Sequence, residues 1–192
     1  TVAWSSIKAK ITDPRLKPCH EIFTWKKTAV PQKETKVSSG HLKDGIWDYS
    51  DMDNLNTDLM FAGNLTYKIL SSDPEMIIPH LFEGFDPLFH TKAARDHIIL
   101  GGENFGCGSS REHPAVGLAH LGIKALIVKS VNRIFYRSAI NQGLLVIVHP
   151  GAVKEYQKAG KLELNLEHHL IRVGETTFTF PPLPDKLNEI LE

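Results

Sequence analysis

Residues 98–148 read IILGGENFGCGSSREHPAVGLAHLGIKALIVKSVNRIFYRSAINQGLLVIV, and the order of apolar runs and breakers in this stretch decides the fold. Ile98-Ile99-Leu100, led by His97, closes a buried strand. A glycine-rich loop follows, and then a helical pattern over Ala115–Leu121 with Gly122 placed to stop it. Ile123–Val128 is a second strand, Asn132–Gln142 a second helix ended by Gly143, and Leu144–Val148 a third strand. That alternation is a βαβαβ unit. Its strands are apolar almost without interruption, which argues for parallel strands covered on both faces.

Downstream, Leu162–Leu166 and Leu170–Val173 alternate with period two and, with Thr176–Phe180, predict C-terminal antiparallel strands. Pro181–Pro184 then leads into a last short helix, Asp185–Leu191. Upstream, Gly45–Tyr49 predicts a first strand and Asp51–Asp58 a polar loop. Leu59–Ala62 is a short apolar run that Gly63 and Asn64 interrupt. Ser72-Asp73-Pro74-Glu75 has the order of a helix start, with a capping residue, proline in the first turn and then an acid. That helix is expected to continue through His80–Phe89 to a Gly/Pro-containing turn.

The compact domain is expected over residues 41–192. Residues 1–40 carry eight Lys or Arg against three Asp or Glu, with three prolines and no sustained periodicity. They predict a loosely structured basic arm, packed on the domain or a partner, or else a solvated extension.

A chain of 192 residues is long enough for one substantial core, and 42% hydrophobic with 23% charged residues is ordinary for a soluble globular protein. The formal net charge is +0, so no general basic field points to nucleic acid or an anionic membrane. No apolar run approaches the roughly 20 residues that span a bilayer, and Thr1–Thr28 lacks the apolar core of a secretory signal. Cys19 and Cys107 are too few for a disulfide scaffold, an iron–sulfur cluster or a zinc ribbon. The expectation is a cytoplasmic protein, or an organellar matrix protein after removal of a transit peptide, that ligates no metal by itself.

The loop Gly101–Pro114 carries the chemistry. A glycine-rich turn opening a helix offers unpaired N–H groups and a positive dipole end to an anion. Ser109, Ser110 and Arg111 stand there, which predicts a small, negatively charged substrate. A dinucleotide fingerprint fits poorly. Arg111 stands where its third glycine belongs, and Lys129-Ser130 end the next strand where a ribose-binding acid belongs. A P-loop fails because no Gly-Lys-Ser/Thr follows. A purely structural turn with a serine N-cap accounts for one Ser and one Gly, not for the whole set.

GENFGCGSSREH, residues 102–113, resembles the signature of the aconitase superfamily's swivel domain, most of all the free-standing small subunits of the 3-isopropylmalate dehydratase and homoaconitase type. KSVNRIFYRSAINQGLL, residues 129–145, resembles that family's second helix and strand. Asn54–Asp58 resembles its early Asn-x-Asp-Thr-Asp turn, and Phe180–Pro184 its C-terminal ending. The resemblance covers about Gly45–Leu191. It implies an α/β swivel domain of three layers, β/β/α. It also implies a heterodimeric hydro-lyase, placed in leucine biosynthesis, that removes and readds water on a hydroxy-polycarboxylate. The [4Fe–4S] cluster would belong to a large partner subunit, without which this chain is inactive.

Carried over residue by residue, the resemblance makes Ser109 the general base, acting as an alkoxide stabilised by backbone N–H groups and Arg111. Arg111 would also grip a substrate carboxylate bidentately. Ser110 and Gly108 would contact substrate or complete the loop, and Asp58 is the active-site acid that positions a charged partner. Glu112 and His113 are expected to brace the helix start, and Cys107 to be a small packed thiol. Arg133 and Arg137, four apart on one helical face, suit hydrogen bonds to the glycine loop or a neighbour. His168-His169 is expected to be exposed.

The sequence departs from the family at informative places. Asn56 replaces the first Asp of Asp-Thr-Asp, and Val131-Asn132 the common Phe-Ala. Leu59–Thr66 stands where isopropylmalate dehydratases run Ile-Ile-Pro-x-Arg-Tyr-Leu, so Asn64, Leu65 and Thr66 would face the substrate's variable group. Homoaconitate, citrate-like acids and methyl-substituted malates are therefore alternative substrates. From a different class, the alternative is a non-catalytic anion-binding or regulatory module on the same fold.

Overall fold

The computed structural model describes residues 42–182. The basic arm, Cys19 and the helix expected at Asp185–Leu191 lie outside the described residues.

A five-stranded sheet forms the centre, in the order β1 (Leu42–Lys43), β2 (Ile46–Tyr49), β3 (Ile98–Gly101), β4 (Ala125–Val128) and β5 (Val146–Val148). The last four are parallel, as their apolar character required, and every residue of β3 and β4 is buried. The crossovers carry α4 (His113–Leu121) and α5 (Arg133–Asn141). The earlier single-turn helices α1 (Thr57–Met60), α2 (Pro74–Ile77) and α3 (Phe89–Lys92) lie between β2 and β3. Strand β1 was not legible from hydrophobic periodicity, being two residues long. It pairs antiparallel to β2 through Asp44-Gly45, both at positive φ (50° and 77°), the two-residue turn that Asp-Gly favours.

The two faces of the sheet build two cores. Trp47, Tyr49, Ile99, Leu126, Val128 and Val146 pack with Ala115 and Leu118 of α4 and Phe135 and Ala139 of α5. Ile46, Ile98, Leu100, Ala125, Ile127 and Ile147 pack on the other side, against a second, antiparallel sheet and the helix α6 (Pro150–Ala159). That second sheet comprises β6 (Leu162–Asn165), β7 (Leu170–Val173) and β8 (Thr176–Thr179) in sequence order. The result is the expected β/β/α layering.

Two elements differ from expectation. The helix opened by Ser72–Glu75 lasts one turn, followed by a 3-10 turn over Ile78–His80, rather than running to Phe89. Pro79 lacks an N–H and crowds the preceding turn. Phe82 then adopts φ 58°, and its N–H leaves the helical ladder for the Met60 carbonyl at 2.7 Å. The segment gains a buried aromatic layer instead, with Phe82 stacked on Tyr49 at 5.4 Å and tilted on Phe89 at 4.5 Å. The Tyr49 hydroxyl donates to buried Asp86 at 3.0 Å; burial first, and Asp86 second, push its phenol far up, so the proton stays. The second difference is α6, absent from the expected elements. Its signals were local: Pro150 in the first turn, His149 accepting from the Ala152 N–H at 2.9 Å, and Gly160 in the left-handed conformation at its end. Among the described residues no helix is long and apolar enough to cross a membrane.

The glycine loop meets α5 at Gly106, whose φ is +73° and whose added Cβ would overlap the Phe135 ring. Gly106→Ala is expected to cost about 1–3 kcal/mol through overpacking and backbone strain, read as a lower urea midpoint.

Candidate active site at the strand ends

In the sheet register Tyr49 lies opposite Gly101, and Gly101 opposite Val128. Strands β2, β3 and β4 therefore end together, and the loops after them leave from one edge, where open α/β sheets place their ligands. These loops are laced by backbone hydrogen bonds. Asn54 N–H donates to Glu103 O (2.7 Å), Gly106 N–H to Leu55 O (2.8 Å) and Thr57 N–H to Cys107 O (2.8 Å). On the other side Phe105 N–H donates to Ser130 O (3.0 Å) and Asn132 N–H to Phe105 O (2.9 Å). Side chains add to the lacing, with Asp53 accepting from Glu103 N–H and Asn54 from the Asn104 amide.

The glycine loop is thus a rung between two other loops, not a tight turn into a helix. Helix α4 begins only at His113, four residues beyond Ser109. Ser109, Ser110 and Arg111 lie just ahead of its capping residue Glu112. Side-chain contacts to Ser109 and Arg111 come from α1, whose start is capped by Asn56 accepting from Leu59 N–H at 2.9 Å. Thr57, 1% exposed, takes the Ser109 N–H on its Oγ1 at 3.0 Å, and that same oxygen lies 3.1 Å from Ser109 Oγ. A hydroxyl that has accepted one bond still has its own proton to give. It can donate to Ser109 Oγ.

One residue along, Asp58 accepts from Arg111 Nη1. The side chains are 54% and 29% exposed, so the pair adds little stability; its effect is to orient the guanidinium, whose remaining donors stay open. Gly63 covers this pair closely, since an added Cβ would lie 2.9 Å from both guanidinium nitrogens and from Asp58 Oδ1. Asn64, next in the chain, is exposed; Leu65 and Thr66 are half-buried in the 3-10 turn Gly63–Tyr67. Thr66 spends its hydroxyl proton on the Gly63 carbonyl at 2.7 Å. Ser110 is exposed, and Gly108 lies against the Thr57 side chain. The structure therefore gathers Ser109, Arg111, Asp58 and the start of the 63–66 turn.

Thr57 and Gly63 were missed as site residues. Thr57 stood within the quoted Asn-Thr-Asp turn, but only its burial against Ser109 reveals its part. Arg133 and Arg137 are exposed, and the loop's bonds on that side come from the Ser130 carbonyl and hydroxyl and the Asn132 N–H instead. Glu112 contributes its carbonyl to the Val116 N–H and no side-chain cap. Cys107 Sγ donates to the Asn54 carbonyl at 3.4 Å. His168 is exposed, whereas His169 is half-buried edge-on against Phe180 at 5.5 Å. Among the described residues no three His, Cys, Asp or Glu side chains gather as metal donors.

Residues 51–151 match the family described as the aconitase C-terminal domain. The 3-isopropylmalate dehydratase small subunit 1 of Methanopyrus kandleri is 39% identical over 142 residues, covering 73% of this chain and 82% of that protein. The isopropylmalate/citramalate isomerase small subunit of Methanocaldococcus jannaschii is 38% identical over 154 residues, covering 79% and 88%. The crystal structure of 3-isopropylmalate dehydratase (leuD) from the same organism aligns with a TM-score of 0.62 at 32% identity, covering 75% of this chain and 84% of that one.

Thr57→Val keeps the shape of the buried side chain and removes the acceptor of the Ser109 N–H. It is expected to cost about 1–3 kcal/mol in urea unfolding.

Proposed function

This chain belongs to the aconitase C-terminal domain family, among the 3-isopropylmalate dehydratase small subunits, and from that membership we propose that it supplies one half of the active site of a two-chain hydro-lyase. The reaction isomerises a hydroxy-polycarboxylate by removing and readding water, as a step of leucine biosynthesis. The observation that carries the reading is the pairing along α1, with Thr57 Oγ1 3.1 Å from Ser109 Oγ and Asp58 holding Arg111 beside it.

Ser109 is the base that takes the proton alpha to a substrate carboxylate. Its oxygen is a weak base until deprotonated, and the anion needs donors already aimed at it. The Thr57 hydroxyl is such a donor, and the guanidinium two residues along adds positive charge. Arg111, steadied on one nitrogen by Asp58, offers its free edge to a carboxylate in the two-pronged geometry that Lys cannot reproduce. Ser110 and the Gly108 backbone are exposed beside it and contact the substrate's polar end. Asn64, Leu65 and Thr66 face its variable group.

The donors of this chain do not fit a [4Fe–4S] cluster: Cys107 is the one free thiol among the described residues, and it bonds a backbone carbonyl. We assign the cluster to a large partner subunit, where it would supply Lewis-acid chemistry. A methyl-substituted malate is a second substrate reading. The turn at Gly63-Asn64 carries neither the Arg nor the Tyr of the common pattern, and the name of one M. jannaschii relative couples isopropylmalate with citramalate. A pure carboxylate-binding module would need the Arg111 clamp alone; a buried threonine spent on the serine hydroxyl favours the enzyme.

The chain by itself is expected to turn over neither isopropylmalate nor citrate, with activity appearing on anaerobic co-expression with the large subunit. Robust turnover by the isolated chain would overturn the reading. In the complex, Arg111→Lys is expected to lower kcat/KM by about 30- to 1,000-fold, equivalent to about 2–4 kcal/mol of transition-state stabilisation. Near-normal kcat/KM would count against the clamp.

A further inference from the structure

We propose that His113 is a positioning residue that sets the 61–69 segment against the Arg111 clamp and thereby selects the substituent the site accepts. The proposal rests on the hydro-lyase reading for its substrate and on the geometry of this chain for its mechanics.

His113 is the first residue of α4, two positions after Arg111, and only 9% of it is exposed. Its ring stacks on Phe61 with centroids 5.0 Å apart and planes 13° from parallel. Its Nε2 lies 2.9 Å from the Ile69 carbonyl oxygen. A carbonyl only accepts, so Nε2 carries a proton and donates to it. The other ring nitrogen, Nδ1, is buried without a hydrogen-bond partner. Burying it unpaired costs free energy that a phenylalanine in the same place would not. The imidazole is therefore a poor choice for filling space and a good one for gripping two things at once.

The two things gripped are the ends of one segment. Phe61 closes α1, its N–H bonded to Thr57 O at 3.0 Å. Ile69 follows the 3-10 turn and its cap Lys68, its N–H bonded to Leu65 O at 2.9 Å. Between them Lys68 N–H also reaches Leu65 O, and Thr66 bonds Gly63 O, so the segment is internally tied. Gly63, within that segment, lies so near the guanidinium that a Cβ there would clash with it. His113 therefore references Asn64–Thr66 to Arg111 without touching the Thr57–Ser109 contact. A shift at His113 acts first on the room for the variable group, through the segment it ties.

Two variants separate its contacts. His113→Phe keeps the ring on Phe61 and removes the donor; His113→Gln keeps a donor of similar reach. Hydrogen exchange on the full chain is expected to quicken at least tenfold at Leu65, Lys68 and Ile69 in His113→Phe. Strands β3 and β4 should change less than twofold, and His113→Gln should stay within threefold of the parent. In the complex with the large subunit, the ratio of kcat/KM for isopropylmalate to that for a methyl-substituted malate should shift at least fivefold in His113→Phe, carried by KM, and return in His113→Gln. Unchanged exchange, faster exchange throughout the domain, or an equal fall for both malates would each overturn the proposal. If the parent complex turns over neither malate, the isopropylmalate and methyl-substituted malate readings of the substrate fail, and exchange alone decides whether His113 anchors the segment.

Discussion

The parallel pairing of β2 with β3 is the constraint on which the site depends. Because Tyr49 and Gly101 lie opposite each other at the strand ends, the loops that follow start side by side and can exchange backbone hydrogen bonds. Only that exchange brings Thr57 to Ser109 and Asp58 to Arg111, residues more than fifty positions apart. A parallel pair needs a long crossover between its strands. Here the crossover also supplies the segment that covers the clamp.

The lacing has a second effect. The N–H groups of Glu103 to Gly106 and of Ser109 are committed to neighbouring loops, which fixes the glycine loop in place. Of the loop's side chains, Arg111 carries the positive charge, and Asp58 holds it. A partly exposed ion pair contributes little to stability. It lets the guanidinium keep one geometry until a carboxylate arrives, which is the pre-organisation that a reacting site requires.

Particular elements show where sequence patterns were sufficient. The strands β3 to β5 and the helices α4 and α5 were legible because each is a sustained apolar pattern with a stop signal, and local physics and tertiary packing agree on them. The segment 72–92 was not. Its start signal was genuine, but Pro79 and the burial of Phe82, Phe85 and Phe89 against Tyr49 and Trp47 outweighed helix continuation. Helix α6 carried good end signals at His149-Pro150 and Gly160 that hydrophobic periodicity alone does not capture. Strand β1 was too short for any pattern, and only its Asp-Gly turn marked it.

By itself the sequence determined the fold class, the family and the identity of the chemical groups, because glycines, paired serines and an arginine in that order serve few purposes. Tertiary structure alone decided their surroundings. It set Ser109 against the hydroxyl of Thr57, turned Arg133 and Arg137 to solvent, and packed His113 between Phe61 and the Ile69 carbonyl. The physical reason is range. Residue type and spacing encode local geometry, whereas a hydrogen bond between loops fifty residues apart depends on strand register, which no local pattern records.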